Sequence, residues 1–383
     1  MDNNDEKISS DKLIDKADDA NANINKKLLE IRDSIDAIDD QFLELLSQRA
    51  ECAEKVAQIK REAGEVDLWF YRPEREAQIL NRMSENNRGP LKNERITAIY
   101  REIISSCLAL EQSIKVAFLG PNGTFSQEAS KKHFGHAVET VPMGSIGQVF
   151  KEVENGTVDY GVVPIENSTE GVISYTLDVF MHSPLKISGE VTLRIHQNLM
   201  TVNKNWQTIK RVYSHPQSLA QCRQWLNDNL PNIEQIPVSS NTEAARRATE
   251  DPDSGAIAGA LAAKIYKLDI AHSNIEDSKD NTTRFLVIGK QDVPVSGKDK
   301  TTLMISAKNR SGALYHLLAP LAAHGLDMTR IESRPSRNAN WEYYFFMDID
   351  GHSSEPNVAK ALEELAEESE LIRVLGSYPK AIL

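Results

Sequence analysis

From Leu28 to about Ala63 the apolar residues recur at helical spacing. Leu28, Ile31, Ile35, Ile38, Phe42, Leu45, Leu46, Ala53 and Val56 share one stripe at about 100° per residue. A pattern this long predicts a helix, with Gly64 as its stop. Arg49 and Lys60 fall inside the stripe and Arg32 lies on its edge. A charge on a buried face costs several kcal/mol unless it is paired. One such cation is accounted for by snorkelling or an internal salt bridge, but three on one face point to an anionic ligand. Arg32 and Arg49 are seventeen residues apart, which is roughly 25 Å along a helix. One small ligand cannot reach both on the same helix, so a shared site requires Arg32 from a second copy of the chain. A homodimer is therefore expected, and dimers could pair further. The preceding residues 1–26 are polar and acidic and read as a disordered, solvated tail.

A second helix is expected from Pro73, a favoured first-turn residue, with Arg72, Arg75 and Glu76 around it. After a loop at Asn86–Pro90, a third runs from about Asn93 to Gln112, with Ile96, Ile99, Tyr100, Ile103, Cys107 and Leu110 in its stripe and Glu111 beside it. Over residues 27–113 this pattern resembles the all-helical chorismate mutase domain. The resemblance implies that Arg32, Arg49, Lys60, Arg72, Arg75, Glu76, Cys107 and Glu111 bind the substrate. Chorismate carries two carboxylates, which suit guanidinium forks. Its rearrangement to prephenate needs no nucleophile, only a held compact conformer and donors where negative charge grows on the ether oxygen. Lys60 and Glu111 are the implied donors, with Arg49 also catalytic. The family often has Gln where Glu111 stands and a hydroxyl residue where Cys107 stands, and some members carry an acid where Arg72 stands.

At 383 residues with 40% hydrophobic and 26% charged residues, the chain has ordinary globular composition, enough for about two or three domains. A net charge of −12 argues against nucleic acid as the main partner. No apolar run is long enough for a membrane helix, and the first residues lack a signal-peptide pattern. Cys52, Cys107 and Cys222 form no CxxC pair, so neither a zinc site nor a disulfide framework is indicated. A cytoplasmic protein without metal or organic cofactor is the expectation.

From Lys115 the rhythm becomes strand, loop, helix. Strands are expected at Val116–Leu119, Asp159–Ile165, Val212–Tyr213, Ala256–Gly259 and Leu286–Gly289, with polar clusters at their ends. Neither nucleotide-binding glycine pattern is present, so the Gly120–Ser126 loop is expected to offer N–H groups and hydroxyls to a carboxylate. Neutral donors recur at strand ends: Thr124, Ser126, Asn167, Ser168, Ser214, Gln221 and Thr283. They suit an anionic small molecule whose reaction needs orientation more than a strong base. His215, just before Pro216, reads as structural. Four blocks, at 120–126, 163–168, 214–217 and 283–285, resemble prephenate dehydratase signatures in that family's order. The resemblance implies two α/β lobes, periplasmic-binding-protein-like, with the site in the cleft, converting prephenate to phenylpyruvate with loss of CO2 and water. It implies Thr283 as the essential threonine, with Thr124, Ser126, Glu166, Asn167, Ser168, Ser214, Gln217 and Gln221 around the substrate. Arg284 is implied as a carboxylate clamp or a structural ion pair. The domain is expected over 114–290.

A polar linker at 291–299 precedes a βαββαβ order over 300–383, which is ferredoxin-like. This part resembles an ACT regulatory domain. Gly312, Ala313 and Leu314, with Glu332, Ser333, Arg334 and Pro335, match the segments that bind phenylalanine in dehydratases, which implies feedback inhibition by L-phenylalanine. Two other readings stand beside this one: a dehydratase whose helical segment serves only to dimerise, and a non-catalytic two-lobed binding protein. An ionised Glu111 would repel the developing ether anion, so Glu111 is expected to act protonated. Mutase turnover should then fall as pH rises, and Glu111→Gln should flatten that fall. An identical pH profile in the two proteins would remove the idea.

Overall fold

The computed structural model describes residues 5–62, 69–203, 205–307, 310–335 and 343–382. The chain divides into two compact units, Met1–Val66 and Asp67–Leu383. The described residues of the first unit form one helix, α1 (Asp5–Glu62). It begins inside the segment expected to be a disordered tail, and Asn23 to Lys26 are exposed, so that part is solvated yet helical. Neither Gly nor Pro occurs between Asp5 and Glu62, so nothing in the local chemistry breaks the helix. The apolar stripe is exposed rather than buried, at Leu28, Ile31, Ile35, Ile38, Phe42, Leu45 and Val56. A lone helix has no second element in its own unit to cover a stripe. The expected stop at Gly64 lies outside the described residues.

The second unit opens with α2 (Pro73–Asn86) and α3 (Asn93–Glu111). Two sheets follow. The first lobe is built from β1 (Lys115–Leu119), α4 (Phe125–Phe134), β2 (Glu139–Met143), α5 (Ile146–Asn155), β3 (Tyr160–Asn167), β4 (Gly171–Val172), α6 (Ser174–Phe180) and β5 (Lys186–Arg194). The second comprises β6 (Asn198–Thr201), β7 (Arg211–Ser214), α7 (Pro216–Gln221), α8 (Arg223–Asn229), β8 (Glu234–Pro237), α9 (Asn241–Glu250), β9 (Ser254–Ala258), α10 (Ala260–Tyr266) and β10 (Asp269–His272). Then β11 (Thr282–Gly289) returns to the first sheet, which has the order β2-β1-β3-β11-β5, while the second has the order β10-β6-β9-β7-β8. The lobes are thus joined twice, at 195–197 and at 273–281.

The rest is β12 (Asp299–Ala307), α11 (Ala313–Ala323), β13 (Met328–Pro335), β14 (Tyr343–Asp350), α12 (Pro356–Glu368) and β15 (Ser369–Pro379), in the sheet order β13-β14-β12-β15. This is the βαββαβ order expected. Strand alternation gives this sheet two jobs. Leu303, Ile305, Met347 and Ile349 pack with Leu317, Leu321, Val358 and Leu365 of the helices. Met304 and Phe346, with Leu375 and Tyr378, pack instead with Val163, Ile165, Ile187, Leu286 and Ile288 of the first lobe.

The approach of β15 to β5 is close. A Cβ on Gly376 would lie 2.2 Å from the Ile187 carbonyl oxygen and 2.9 Å from its nitrogen. Backbone cannot rotate away, so Gly376→Ala should cost about 1–3 kcal/mol of stability. Gly89→Ala, where a Cβ would meet only the Asn87 Oδ1 at 3.6 Å, should be near neutral. Equal denaturation midpoints for the two variants would contradict this account.

Candidate active site

β3 and β11 run antiparallel, with Asn167 opposite Thr283 and Glu166 opposite Arg284. The next pair is Phe285 with Pro164, so Ile165 is an extra residue in β3. Such a bulge re-phases a strand and re-aims its side chains. Asn167 consequently meets Thr283 on one face. Its Nδ2 donates to Thr283 Oγ1 at 2.8 Å and to Asn281 Oδ1 at 2.9 Å. Its Oδ1 accepts from the Thr169 and Glu170 N–H groups at 3.0 and 3.1 Å. Those two N–H donors fix which end of the amide is oxygen. Thr283 Oγ1 is therefore an acceptor from Asn167, and its own proton is left to donate elsewhere.

Asn281 is buried, and its Nδ2 has no protein partner among the described residues. It lines a recess with Thr169, Glu170, Gln221, Glu276, Asp277 and Ser278. Gln221 is held by Gln197, whose Nε2 donates to the Gln221 Oε1 at 3.2 Å and to Ser218 Oγ at 3.0 Å. At the two lobe connections, Glu276 accepts from the Gln197 N–H at 2.9 Å and contacts His196 Nδ1 at 2.9 Å. One buried carboxylate thus staples both crossings. Ser168 Oγ accepts from the Thr282 N–H at 2.9 Å and ties the end of β3 to β11.

Other expected residues serve local structure. Thr124 Oγ1 donates to the Leu119 carbonyl, and Ser126 is buried in the first turn of α4. Ser214 Oγ donates to the Ile257 carbonyl at 2.8 Å. His215 Nδ1 accepts from the Gln217 N–H at 3.3 Å and caps α7, the structural role expected. Arg284 is an ion pair, not a clamp in the cleft. Its Nε donates to Glu190 at 2.7 Å and its NH1 to Asp348 Oδ2 at 2.5 Å. Glu166 likewise leaves the cleft face and pairs with Arg330 at 3.2 Å.

The helical-segment residues fall in both units. On α1, Arg32 is exposed, and Arg49 and Lys60 are half-buried. On α2 and α3, Arg75 is exposed, Arg72 pairs with Glu74 at 2.5 Å, Cys107 is buried and Glu111 half-buried. Glu76 lines a cavity with Arg101, Lys132 and Lys380. Its nearest partner is Arg101 at 3.5 Å. Burial pushes the Glu76 carboxyl up to about 7 against the pull of Arg101.

In the C-terminal sheet, Tyr344 pairs with Ser306 on one side and Arg334 on the other. The end of β12 that leads to Gly312, Ala313 and Leu314, and the end of β13 that carries Glu332, Ser333, Arg334 and Pro335, therefore share one end of the sheet. Gly312 takes the left-handed conformation, φ 76, where α11 begins. Arg334 reaches α6 and donates to Asp178 at 2.8 and 2.9 Å.

Family models for chorismate mutase type II, prephenate dehydratase and the ACT domain match residues 31–112, 116–293 and 301–367. The bifunctional chorismate mutase/prephenate dehydratase of Pseudomonas aeruginosa is 51% identical over 362 residues, covering 93% of this chain and 99% of that protein. The Escherichia coli K12 protein of the same name is 33% identical, covering 92% and 96%. The chain belongs to the bifunctional chorismate mutase/prephenate dehydratase family. A prephenate dehydratase from Arthrobacter aurescens, solved in complex with L-Phe, is 33% identical with a TM-score of 0.65, covering 70% of this chain and 90% of that one.

Sequence pattern alone did not single out Asn281, Gln197, His196 or Glu276, which the structure brings to this recess and its lobe connections. Asn281 stands two residues before the 283–285 block as a bare amide. The other three carry no spacing signal, because they meet only where the chain crosses twice between lobes. Glu76 supplies a pH test. The folded chain holds its proton more tightly than the unfolded chain, so the stability it contributes is full below about 4.5 and lost as pH rises through about 7. Glu76→Gln should therefore lose less stability than the wild type between those values. Parallel denaturation midpoints across that range would refute the assignment.

Proposed function

We propose that the dehydratase step takes place where β3 meets β11, with Thr283 as the donor to the departing hydroxyl. In the reaction the bond to the ring carboxylate breaks and its electron pair enters the ring as CO2 leaves. The ring C–O bond breaks at the same time, and the oxygen takes its pair and a proton from the Thr283 hydroxyl, which regains one from solvent, and leaves as water. Aromatisation drives both bond cleavages, so the protein has to orient the ring and lend a proton to the oxygen. The single observation that carries this reading is the 2.8 Å bond in which Asn167 donates to Thr283 Oγ1. It fills an acceptor site of the hydroxyl and turns its proton outward. Asn281 Nδ2 and Gln221 line the adjoining recess and are assigned to orient the substrate.

We assign the mutase step to Arg32, Arg49, Lys60, Arg75, Glu76 and Glu111, with Arg32 drawn from a second copy. The exposed apolar stripe on α1 supports a homodimer, because a second copy of the same helix covers it with matching chemistry. L-phenylalanine is the proposed inhibitor, bound at the sheet end shared by Gly312–Leu314 and Glu332–Pro335. The related Arthrobacter aurescens enzyme was solved with this ligand. The three free cysteines favour a reducing compartment, and we assign the enzyme to the cytoplasm.

Assaying both steps tests the assignment. Thr283→Ala should lose at least about a hundredfold in dehydratase turnover and keep mutase turnover, while Arg49→Ala should do the reverse. A Thr283→Ala enzyme with normal dehydratase activity would sink the reading, and a loss of both steps in either variant would point to a shared site.

A further inference from the structure

Thr283 and Asn167 form one register pair on the cleft face of β11 and β3, and the next pair, Arg284 and Glu166, faces the C-terminal sheet. There Arg284 NH1 donates to Asp348 Oδ2 at 2.5 Å, and Glu166 lies 3.2 Å from Arg330. Asp348 is itself the register partner of Arg330 on β13 and of Thr302 on β12. One row of the C-terminal sheet therefore grips one row of the dehydratase sheet. The grip continues through buried groups. Glu190 accepts from Arg284 at 2.7 Å and from Lys300 at 3.0 Å. Tyr378 accepts from Arg284 NH2 at 3.1 Å, and Thr302 donates to Asp348 Oδ1 at 2.7 Å.

A buried guanidinium with fixed partners has little freedom. Burial opposes its charge, but Tyr378, Asp348 and Glu190 outweigh that and keep Arg284 protonated. The Asp348 and Glu190 side chains are 2% and 5% exposed, so their bonds to Arg284 are sheltered from water and salt. Each gripped residue is the chain neighbour of a cleft residue. Any shift of the Asp348–Arg330 row is carried through one peptide unit to Thr283 and through another to Asn167. The row lies four residues from the sheet end that holds Ser306, Tyr344 and Arg334, roughly 13 Å along the strands.

We propose that Arg284 and Glu166 are positioning residues for Thr283 and Asn167, and that the C-terminal sheet sets the aim of the Thr283 hydroxyl through Asp348 and Arg330. Effector binding at the sheet end is read by the dehydratase site through this row. The inference rests on Thr283 being the donor.

The test uses the full-length enzyme with Asp348→Asn and Arg330→Gln, measuring both reactions and inhibition by L-phenylalanine. Each variant should lower dehydratase kcat by roughly tenfold with the KM for prephenate within about twofold, because aim rather than binding is lost. Mutase turnover should be unchanged. The phenylalanine concentration for half-inhibition should rise at least about fivefold, the lower end of ordinary coupling. If Asp348→Asn does not fold, Arg330→Gln carries the test, since its partner Glu166 is already 40% exposed. Wild-type kcat and inhibition with only a lowered melting point would overturn the proposal, as would a raised KM at unchanged kcat. A fully active Thr283→Ala would overturn the donor assignment itself. Loss in Thr283→Ala beside normal Asp348→Asn and Arg330→Gln enzymes would overturn this inference alone.

Discussion

Arg284 places a permanent positive charge between two sheets, and a charge there is tolerable only with carboxylates and hydroxyls arranged around it. Glu190, Asp348 and Tyr378 supply them from β5, β14 and β15. Those three strands belong to two sheets, so satisfying one guanidinium fixes the dehydratase lobe against the C-terminal domain. The surrounding contact is apolar, with Met304, Phe346 and Leu375 against Ile165, Ile187 and Leu286. Apolar contact excludes water but does not choose a register. The ion pairs do, because a slip of one residue would turn Asp348 away from Arg284 and leave both buried and unpaired. Gly376 makes the close approach possible where β15 crosses the Ile187 backbone.

Much of this architecture was legible in the sequence. Helix starts at Pro73 and Asn93, and the βαββαβ order after residue 299, follow from local pattern and came out with nearly the expected bounds. Thr283 and Asn167 could be singled out because both end strands in dense polar clusters. Their hydrogen bond could not, because it depends on Ile165 being an extra residue in β3. Without knowledge of that bulge, the period-2 rule does not separate Asn167, which meets Thr283, from Glu166, which pairs with Arg330. Arg284 is open between clamp and ion pair in the sequence for a related reason. A sequence shows the charge but not the three partners, which come from 94 residues before it, 64 after it and 94 after it.

α1 exposes the opposite limit. Its periodicity predicted a helix correctly and its stripe predicted burial, yet Ile31, Ile35, Ile38 and Phe42 are exposed in the single chain. Periodicity reports that a face wants covering and is silent on what covers it. The same stripe carries Arg49 and Lys60, so the surface that needs an apolar partner also carries two of the cations proposed for the mutase step. In a chain of net charge −12, local clustering of cations is what a dianionic substrate would need to bind against the overall field.

On the proposed assignments the two halves of the enzyme solve their chemistry by different means. The mutase segment is assigned charge, because its substrate must be folded into a compact conformer by its carboxylates. The dehydratase cleft is assigned neutral donors whose protons are aimed by neighbours. A neutral hydroxyl is a weak donor unless its orientation is fixed, and the amide of Asn167 fixes it from one side. That amide is itself oriented by the Thr169 and Glu170 N–H groups, so the aim of Thr283 is inherited from the loop after β3. The loop is tied to β11 through Ser168, and β11 is tied to the C-terminal sheet through Arg284. A site built on orientation is open to control by small displacements, whereas a site built on clustered charge loses little when its residues move by a few tenths of an ångström. This difference gives a physical reason for the C-terminal sheet to pack against the dehydratase lobe, directly behind the Thr283–Asn167 pair.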